Sequence, residues 1–426
     1  MPELPDLLRS LGRGFRTSSA LQEMLGVSQS TVSRLIAEAG ERIIRTGARR
    51  STRYAAARTL FDAGFALPLF EVDETGSARL LATLRGFANG GFFVDGDNLP
   101  AWLRGNEGNG VYPGLPYFLD DLRPAGFLGR LFARTVAPAW GFPDDPRLWN
   151  KEQLGRCLLQ AGELLPGNIV MGEGAAGRLR IGQDERVLDA AAEYPRLAEN
   201  VLAGEMPGSS AGGEQPKFTA WRETAGHLIV KFSSAGNNPE ALRWRDLLRA
   251  EHHAQSALRG HGFPAAETRL VEAEGRVFLE SVRFDRVGLH GRRPMISLAA
   301  VDAEFAGTGR DWSRSAAVLH ARGLIDGETH TCIAALQAFG TAIGNTDMHL
   351  GNLSLAPEGN GFTLLPVYDM LPMALAPRHG DIPTALAPPA VDVLLPDSVR
   401  DAVREYRTRI AGDEHITSDF RRIIEE

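Results

Sequence analysis

Four groups of residues in the second half of the chain have the types and spacing that phosphoryl transfer needs. The densest is GNTDMHLGN, residues 344–352, set between the apolar segments CIAALQAFGTAIG and LSLAP. There Asp347 can accept the proton of an attacking hydroxyl. The amide oxygen of Asn352, five positions later on the same short loop, can ligate Mg²⁺, which is the separation phosphoryl-transfer sites use for these two roles. In LLPVYDMLPM, residues 364–373, Asp369 ends an apolar strand 17 residues after Asn352 and can share that metal. Lys231 lies inside the apolar stretch HLIVKF, 227–232, where an ammonium is costly unless it meets an anion. Glu251 or Glu240 on the next helix can hold it in place. Upstream, GSSAGGEQPKFTAW, 208–221, is small and Gly-rich, so its backbone N–H groups can approach phosphate oxygens. It lacks the Walker spacing.

Lysine usage points to the same place. The chain has 46 basic residues, of which only Lys151, Lys217 and Lys231 are lysine. Where Arg serves almost everywhere, a retained Lys marks a need for a compact ammonium on a flexible stem. Two of the three fall in the candidate nucleotide site.

The elements that must position these groups are legible in outline. The Gly-rich loop is followed by a strand at 227–232, a helix at about 239–260 and a strand at 275–284. Helices fill 312–344, LSLAP and GFTLLPVYD form a β-hairpin, and 391–424 is helical. This is the order of parts in a bilobal α+β fold with a helical second half. Residues 151–168 read as a helix and a turn, and 61–150 as a small α+β region with short strands.

The N-terminus differs in charge. Residues 1–60 carry ten Arg and five acidic residues, a balance of +5 on a chain whose net charge is −7. Within TSSALQEMLGVSQSTVSRLIAE, 17–38, Ser18 or Ser19 caps a helix containing Leu21, Met24 and Leu25. Gly26 makes the turn, Val27 plugs it, and Ser28 caps a second helix with Val32, Leu35 and Ile36 inward. IIRTGARRSTRYAA, 43–56, reads as two strands around a basic turn. The whole resembles a winged helix-turn-helix. Gln29, Ser30, Ser33 and Arg34 would face base edges, and Arg45, Arg49, Arg50 and Arg53 phosphates or a minor groove of double-stranded DNA.

Apolar content of 43% and charged content of 23% are ordinary for a globular protein. Cys157 and Cys332 are far apart and outside metal-ligand spacing, which argues against a disulfide scaffold or a zinc site. The first 16 residues lack the apolar core of a secretory signal, and no run of about 18 apolar residues occurs, so the expected location is cytoplasmic.

Taken together, SSAGGEQPK, HLIVK, RFDR, NTDMHLGN and YDMLP resemble the HipA-like serine/threonine kinases, the toxin components of bacterial toxin–antitoxin pairs. The resemblance covers residues 160–426, and more weakly 61–160. It implies an ATP- and Mg²⁺-dependent protein kinase with Asp347 as proton acceptor. His349 and Asn352 would contact nucleotide and Mg²⁺, and Asp369 would bind metal. Tyr368 would lie beside the nucleotide, Val282 and Phe284 at the adenine hinge, and Lys231 on the phosphates. The Gly-rich loop would run from Ala211 through Gly212 and Gly213 to Lys217, with Ser209 or Ser210 as an autophosphorylation site. The phosphoacceptor would be an aminoacyl-tRNA synthetase or another translation component, and the protein could form a homodimer. Two features depart from the family: the N-terminal domain is fused, and the Gly-rich loop is one residue longer. The expected division is 1–60, 61–160, 161–285 and 286–426. Two other readings stay open, a DNA-binding regulator with a silent kinase-like body and a kinase acting on a small molecule. Retention of Lys231, Asp347, Asn352 and Asp369 favours catalysis over the silent body.

Overall fold

A computed structural model describes residues 2–12, 14–47, 51–179, 185–204, 215–309, 311–378, 380–386 and 395–425. At the N-terminus, helices Leu4–Leu11, Ser18–Leu25 and Gln29–Ala39 bury Leu7, Leu11, Leu21, Val32, Leu35 and Ala39 in one cluster with Ile43 and Ala56. The cap of the second helix is Thr17, not Ser18 or Ser19: its hydroxyl accepts from Ala20 N at 3.2 Å. Gly26 follows at φ 64°, a left-handed turn that glycine adopts without strain, and Ser28 caps the third helix as expected. Such caps contribute about 1 kcal/mol each. Met24 is half exposed.

Strands Ile43–Thr46 and Arg53–Arg58 pair antiparallel, Ile43 opposite Ala56 through Thr46 opposite Arg53. The second of these does not end there. Its Ala57 and Arg58 pair with Phe87 and Gly86 of the ten-residue strand Ala78–Phe87, joining the N-terminal unit to an eight-stranded sheet. That sheet also holds Ala66–Val72, Phe92–Asp95 and Ile169–Met171, so region 61–150 contains longer strands than its Gly- and Pro-rich sequence suggests. Phe15 packs edge-on against Phe87 at 5.2 Å and Phe93 at 6.0 Å, adding apolar contact at the same junction.

A second sheet runs in the order Thr268–Ala273, Arg276–Val282, Gly226–Phe232, Lys217–Arg222, Glu185–Arg186, antiparallel except for its last pair. One face packs Phe218, Phe232 and Phe278 around Tyr194. Helix Pro239–Gly260, capped by Asn238 and started by Pro239, lies against this sheet. The helical half comprises Leu298–Phe305, Trp312–Ala321, Gly327–Ala342, Asp397–Gly412 and Ser418–Glu425, so the C-terminal helical stretch is broken at 413–417. A three-stranded sheet, Ile296–Ser297, Ser354–Glu358 and Gly361–Leu364, receives the chain after 344–352. Among the described residues no helix is long and apolar enough to cross a membrane.

Candidate active site

Lys231 sits in strand Gly226–Phe232 with Lys217 opposite on one neighbouring strand and Leu279 on the other. Its side chain is 7% exposed. A buried ammonium needs anions, and the fold supplies two. Both carboxylate oxygens of Glu251 accept from Lys231 Nζ at 2.6 Å, and Asp369 Oδ1 lies 2.5 Å from it. Glu240, the other candidate, is exposed in the first turn of the same helix. Burial by itself would lower the Lys231 pKa, but Asp369 and Glu251 outweigh it and keep the ammonium charged. At Asp369 burial would raise the pKa. Lys231, Lys217 and His349 overcome that and hold the carboxyl at about 2.

Asp369 has φ 55°, a left-handed backbone uncommon for a residue with a side chain. Its neighbours hold it there. Val367 accepts from Ala266 N and donates to Pro264 O, each at 2.9 Å, and Asn345 Nδ2 donates to the Asp369 carbonyl at 3.2 Å. Asn345 is thus a positioning residue that the motif reading missed, although it stands at the head of the same NTD triplet.

The 344–352 loop leaves helix Gly327–Ala342 through Gly344 at φ 79°. Asn345 Oδ1 accepts from Asp347 N at 3.0 Å, and Asn352 Nδ2 donates to the Asp347 carbonyl at 2.7 Å. The backbone of Asp347 is therefore clamped from both sides while its side chain is exposed. With Nδ2 donating, the amide oxygen is the atom of the Asn352 side chain able to accept or to ligate. His349 is also exposed, and its Nδ1 accepts from Gly351 N at 3.0 Å, so part of its role is to shape the turn. Trp312, unremarked in the sequence, fixes the loop from below by donating to the His349 carbonyl at 3.0 Å.

Tyr368 joins the two ends. Its hydroxyl donates to Gly351 O at 3.0 Å and lies 3.1 Å from Ser354 Oγ, and burial pushes its pKa up. Its ring lies 5.9 Å from that of Phe284, with 31° between the planes. Val282 closes strand Arg276–Val282, whereas Phe284 follows just beyond it. Asp285 is structural: Arg283 and Arg286 ion-pair with it, Gly167 N donates to it, and the arginines hold its carboxyl well below the usual range against burial.

The structure thus brings together Lys217, Lys231, Glu251, Asp369 and, through Tyr368, Phe284 and the loop bearing Asn352. Ser209, Ser210, Ala211, Gly212 and Gly213 lie outside the described residues. Among the described residues no three His, Cys, Asp or Glu side chains group where they could hold a metal. The residues expected to hold Mg²⁺, Asp369 and Asn352, carry oxygen donors of the hard type that this metal takes. At the N-terminus Gln29, Ser30, Ser33 and Arg34 are exposed on one helix, with Arg34 paired to Glu38 at 3.3 Å. Arg45 and Arg53 are exposed on the paired strands, whereas Arg49 and Arg50 lie outside the described residues.

Comparison with known proteins gives the family and the fold. The "YjjJ-like toxin, middle domain" family matches residues 63–180, and the "HipA-like C-terminal domain" family matches 209–424. Toxin YjjJ of Escherichia coli (strain K12) is 38% identical over 443 residues, covering all of this chain and 96% of that protein. The HipA–HipB–operator DNA complex of Shewanella oneidensis MR-1 contains a chain that superposes with TM-score 0.59 at 17% identity, over 84% of this chain and 95% of its own length. That likeness establishes a shared mixed α/β fold. With half of its length matched by the C-terminal family and its whole length by the toxin, the chain belongs to the family of HipA-like toxins.

Proposed function

We propose that the protein is an ATP- and Mg²⁺-dependent serine/threonine protein kinase that carries its own DNA-binding domain. The observation that carries the kinase reading is Lys231 held between Glu251 and Asp369, beside a loop that presents Asp347 and Asn352. In this reading Lys231 and Lys217 bind nucleotide phosphates, and Phe284, Tyr368 and Val282 flank the base. Asp369 and Asn352 hold Mg²⁺, which when bound neutralises charge on the phosphoryl group being transferred. Asp347 orients a serine or threonine hydroxyl and takes its proton as the new O–P bond forms and the bond to the departing ADP breaks. Ser209 or Ser210 would be phosphorylated by the same chemistry. A phosphate there adds about −1.5 to −2 charge to a loop meant for ATP phosphates and would switch the enzyme off.

The N-terminal helices and paired strands support reading 1–60 as a winged helix-turn-helix. Exposed Gln29 and Arg34 suit major-groove edges, and Arg45 and Arg53 suit phosphates. The Shewanella HipA forms its complex with HipB and operator DNA. Here the fused domain would take over DNA contact. A translation component such as an aminoacyl-tRNA synthetase is the proposed phosphoacceptor.

The test is incubation of purified protein with labelled ATP, Mg²⁺ and cell extract. Label should enter one protein band and be abolished by Asp347→Asn. Transfer at the wild-type rate by that variant would overturn the assignment.

A further inference from the structure

Helix Pro239–Gly260 presents two different faces. Glu251 meets Lys231 on one. Arg249 lies two residues earlier, about 200° round the helix, and shares the reverse face with Arg245 and Asp246. There they line a cavity of about 180 Å³ together with Glu272 and Arg276 of the neighbouring hairpin and Thr417 of the C-terminal turn.

Three arginines line this cavity, and two of them are nearly enclosed side chains, Arg249 at 6% and Arg276 at 8% exposure. Their donors are incompletely used. Arg249 Nη2 donates to Glu272 at 2.5 Å, and its Nη1 lies 4.0 Å from Asp413. Its buried Nε has no hydrogen-bond partner among the described residues, and the same is true of Arg245 Nε, although Arg245 Nη1 and Nη2 donate to Asn237 and to the carbonyls of Ser234, Ala235 and Gly236. Arg276 Nη1 donates to Ser233 O at 3.0 Å and its Nη2 pairs with Glu199. Of the acids beside these arginines, Glu272 is 53% and Glu199 65% exposed, whereas Asp413 is 12% exposed and also holds His253 at 2.8 Å. Exposed partners of this kind are weakly held and can swing into water. Asp246 also lines the cavity, but its two oxygens accept from the N–H and hydroxyl of Thr417 at 3.0 and 2.6 Å.

We propose that this cavity is a binding site for a small phosphate-bearing molecule, separate from the nucleotide site. Arginine forks match phosphate oxygens in pairs, and an entering phosphate would replace Glu272 and Glu199 as their counterion. The site stands independently of the kinase reading. The test is calorimetric titration of the full chain with inorganic phosphate, against chloride at matched ionic strength. Saturable binding is expected, weakened at least tenfold by Arg249→Gln and unaffected by Lys217→Ala in the nucleotide site. Glu272→Gln removes the competing charge and leaves an amide oxygen that can still accept from Arg249, so it should fold normally and bind phosphate severalfold more tightly. Absence of saturable binding, equal affinity in wild type and Glu272→Gln, or loss with Lys217→Ala would each overturn the proposal.

Discussion

Replacing Lys231 with Met tests whether the ammonium is the hub of the site or a lysine reaching for water. In the folded protein Lys231 is 7% exposed, Glu251 2% and Asp369 30%, with three N–O contacts of 2.5–2.6 Å. Met keeps the stem and removes the charge, leaving the buried Glu251 and the partly exposed Asp369 without their contacting cation and with only the more distant Lys217. Removing one partner of a buried ion pair costs about 3–5 kcal/mol. At about 2–4 °C per kcal/mol for a domain of this size, Tm should fall by roughly 6–20 °C. The pH dependence has a definite sign. In the wild type Asp369, held at about 2, contributes stability that is present above the ordinary carboxylate range and lost only as pH falls through that low value. Burial already holds the Glu251 carboxyl above its ordinary value in the wild type, and loss of Lys231 raises it further and lifts Asp369 from its low value. The Glu251 contribution is present at low pH and lost as pH rises, and that loss is larger in the variant. The Tm gap between wild type and Lys231→Met should therefore narrow from about pH 7 to about pH 5. Adding Glu251→Met should recover most of the stability, because a buried pair replaced by apolar groups is near neutral, and none of the activity. Differential scanning calorimetry with a phosphotransfer assay reads both. A wild-type Tm in Lys231→Met at neutral pH would refute the ion-pair account.

Asp347→Asn should leave Tm and nucleotide binding nearly unchanged, since the side chain is exposed, while turnover falls about 10²–10⁴-fold; a matching loss of nucleotide affinity would mean that it serves binding. Asp369→Asn should abolish the Mg²⁺-dependent part of nucleotide affinity, measured with and without the metal, and an unchanged Mg²⁺ effect would count against its ligand role. Tyr368→Phe removes the bond to Gly351 and the contact with Ser354, costing about 0.5–1.5 kcal/mol in unfolding measurements. On genomic DNA fragments, Arg45→Ala with Arg53→Ala should weaken binding to all sequences and flatten its salt dependence, whereas Arg34→Ala should mainly relax sequence preference. A failure of the full-length protein to bind any fragment at low salt would remove the DNA reading.

What the sequence made legible was chemistry set in strong contrast to its surroundings. Lys231 stood out as a charge in an apolar strand, and the cost of that placement pointed to an anionic partner on the next helix. Either Glu240 or Glu251 was compatible with the pattern; the structure selects Glu251, because Glu240 lies in the exposed first turn. The backbone devices were not legible. Asn345 and Trp312 act on carbonyls of residues they do not adjoin in sequence, Asp369 and His349, and no local pattern announces such a bond. The cap, read as Ser18 or Ser19, falls at Thr17 because all three have hydroxyls able to accept from a helix N–H. Arg245, Arg249 and Arg276 come from a helix and a hairpin, so their convergence exists only in the fold.

The junction at residue 60 is the instructive case. A basic segment ahead of an acidic body reads as a tethered module, and RYAAARTL carries too little apolar alternation to announce a strand that continues. Yet Arg53–Arg58 pairs first with Ile43–Thr46 and then, through Ala57 and Arg58, with Ala78–Phe87. Ile44, Ala55, Phe87 and Phe93 form one buried cluster spanning the boundary, with Phe15 packed on it. A fragment ending at 60 would expose the pairing edge of Ala57 and Arg58 and strip Phe15 of both aromatic partners. Each loss is uncompensated, since an unpaired edge and an exposed aromatic face both favour association over folding. The helices that carry Gln29 and Arg34 are therefore joined to the body by sheet hydrogen bonds rather than by a linker. A test of the proposed DNA contacts therefore belongs to the full chain, and any orientation those helices would impose on DNA would be imposed on the rest of the molecule as well.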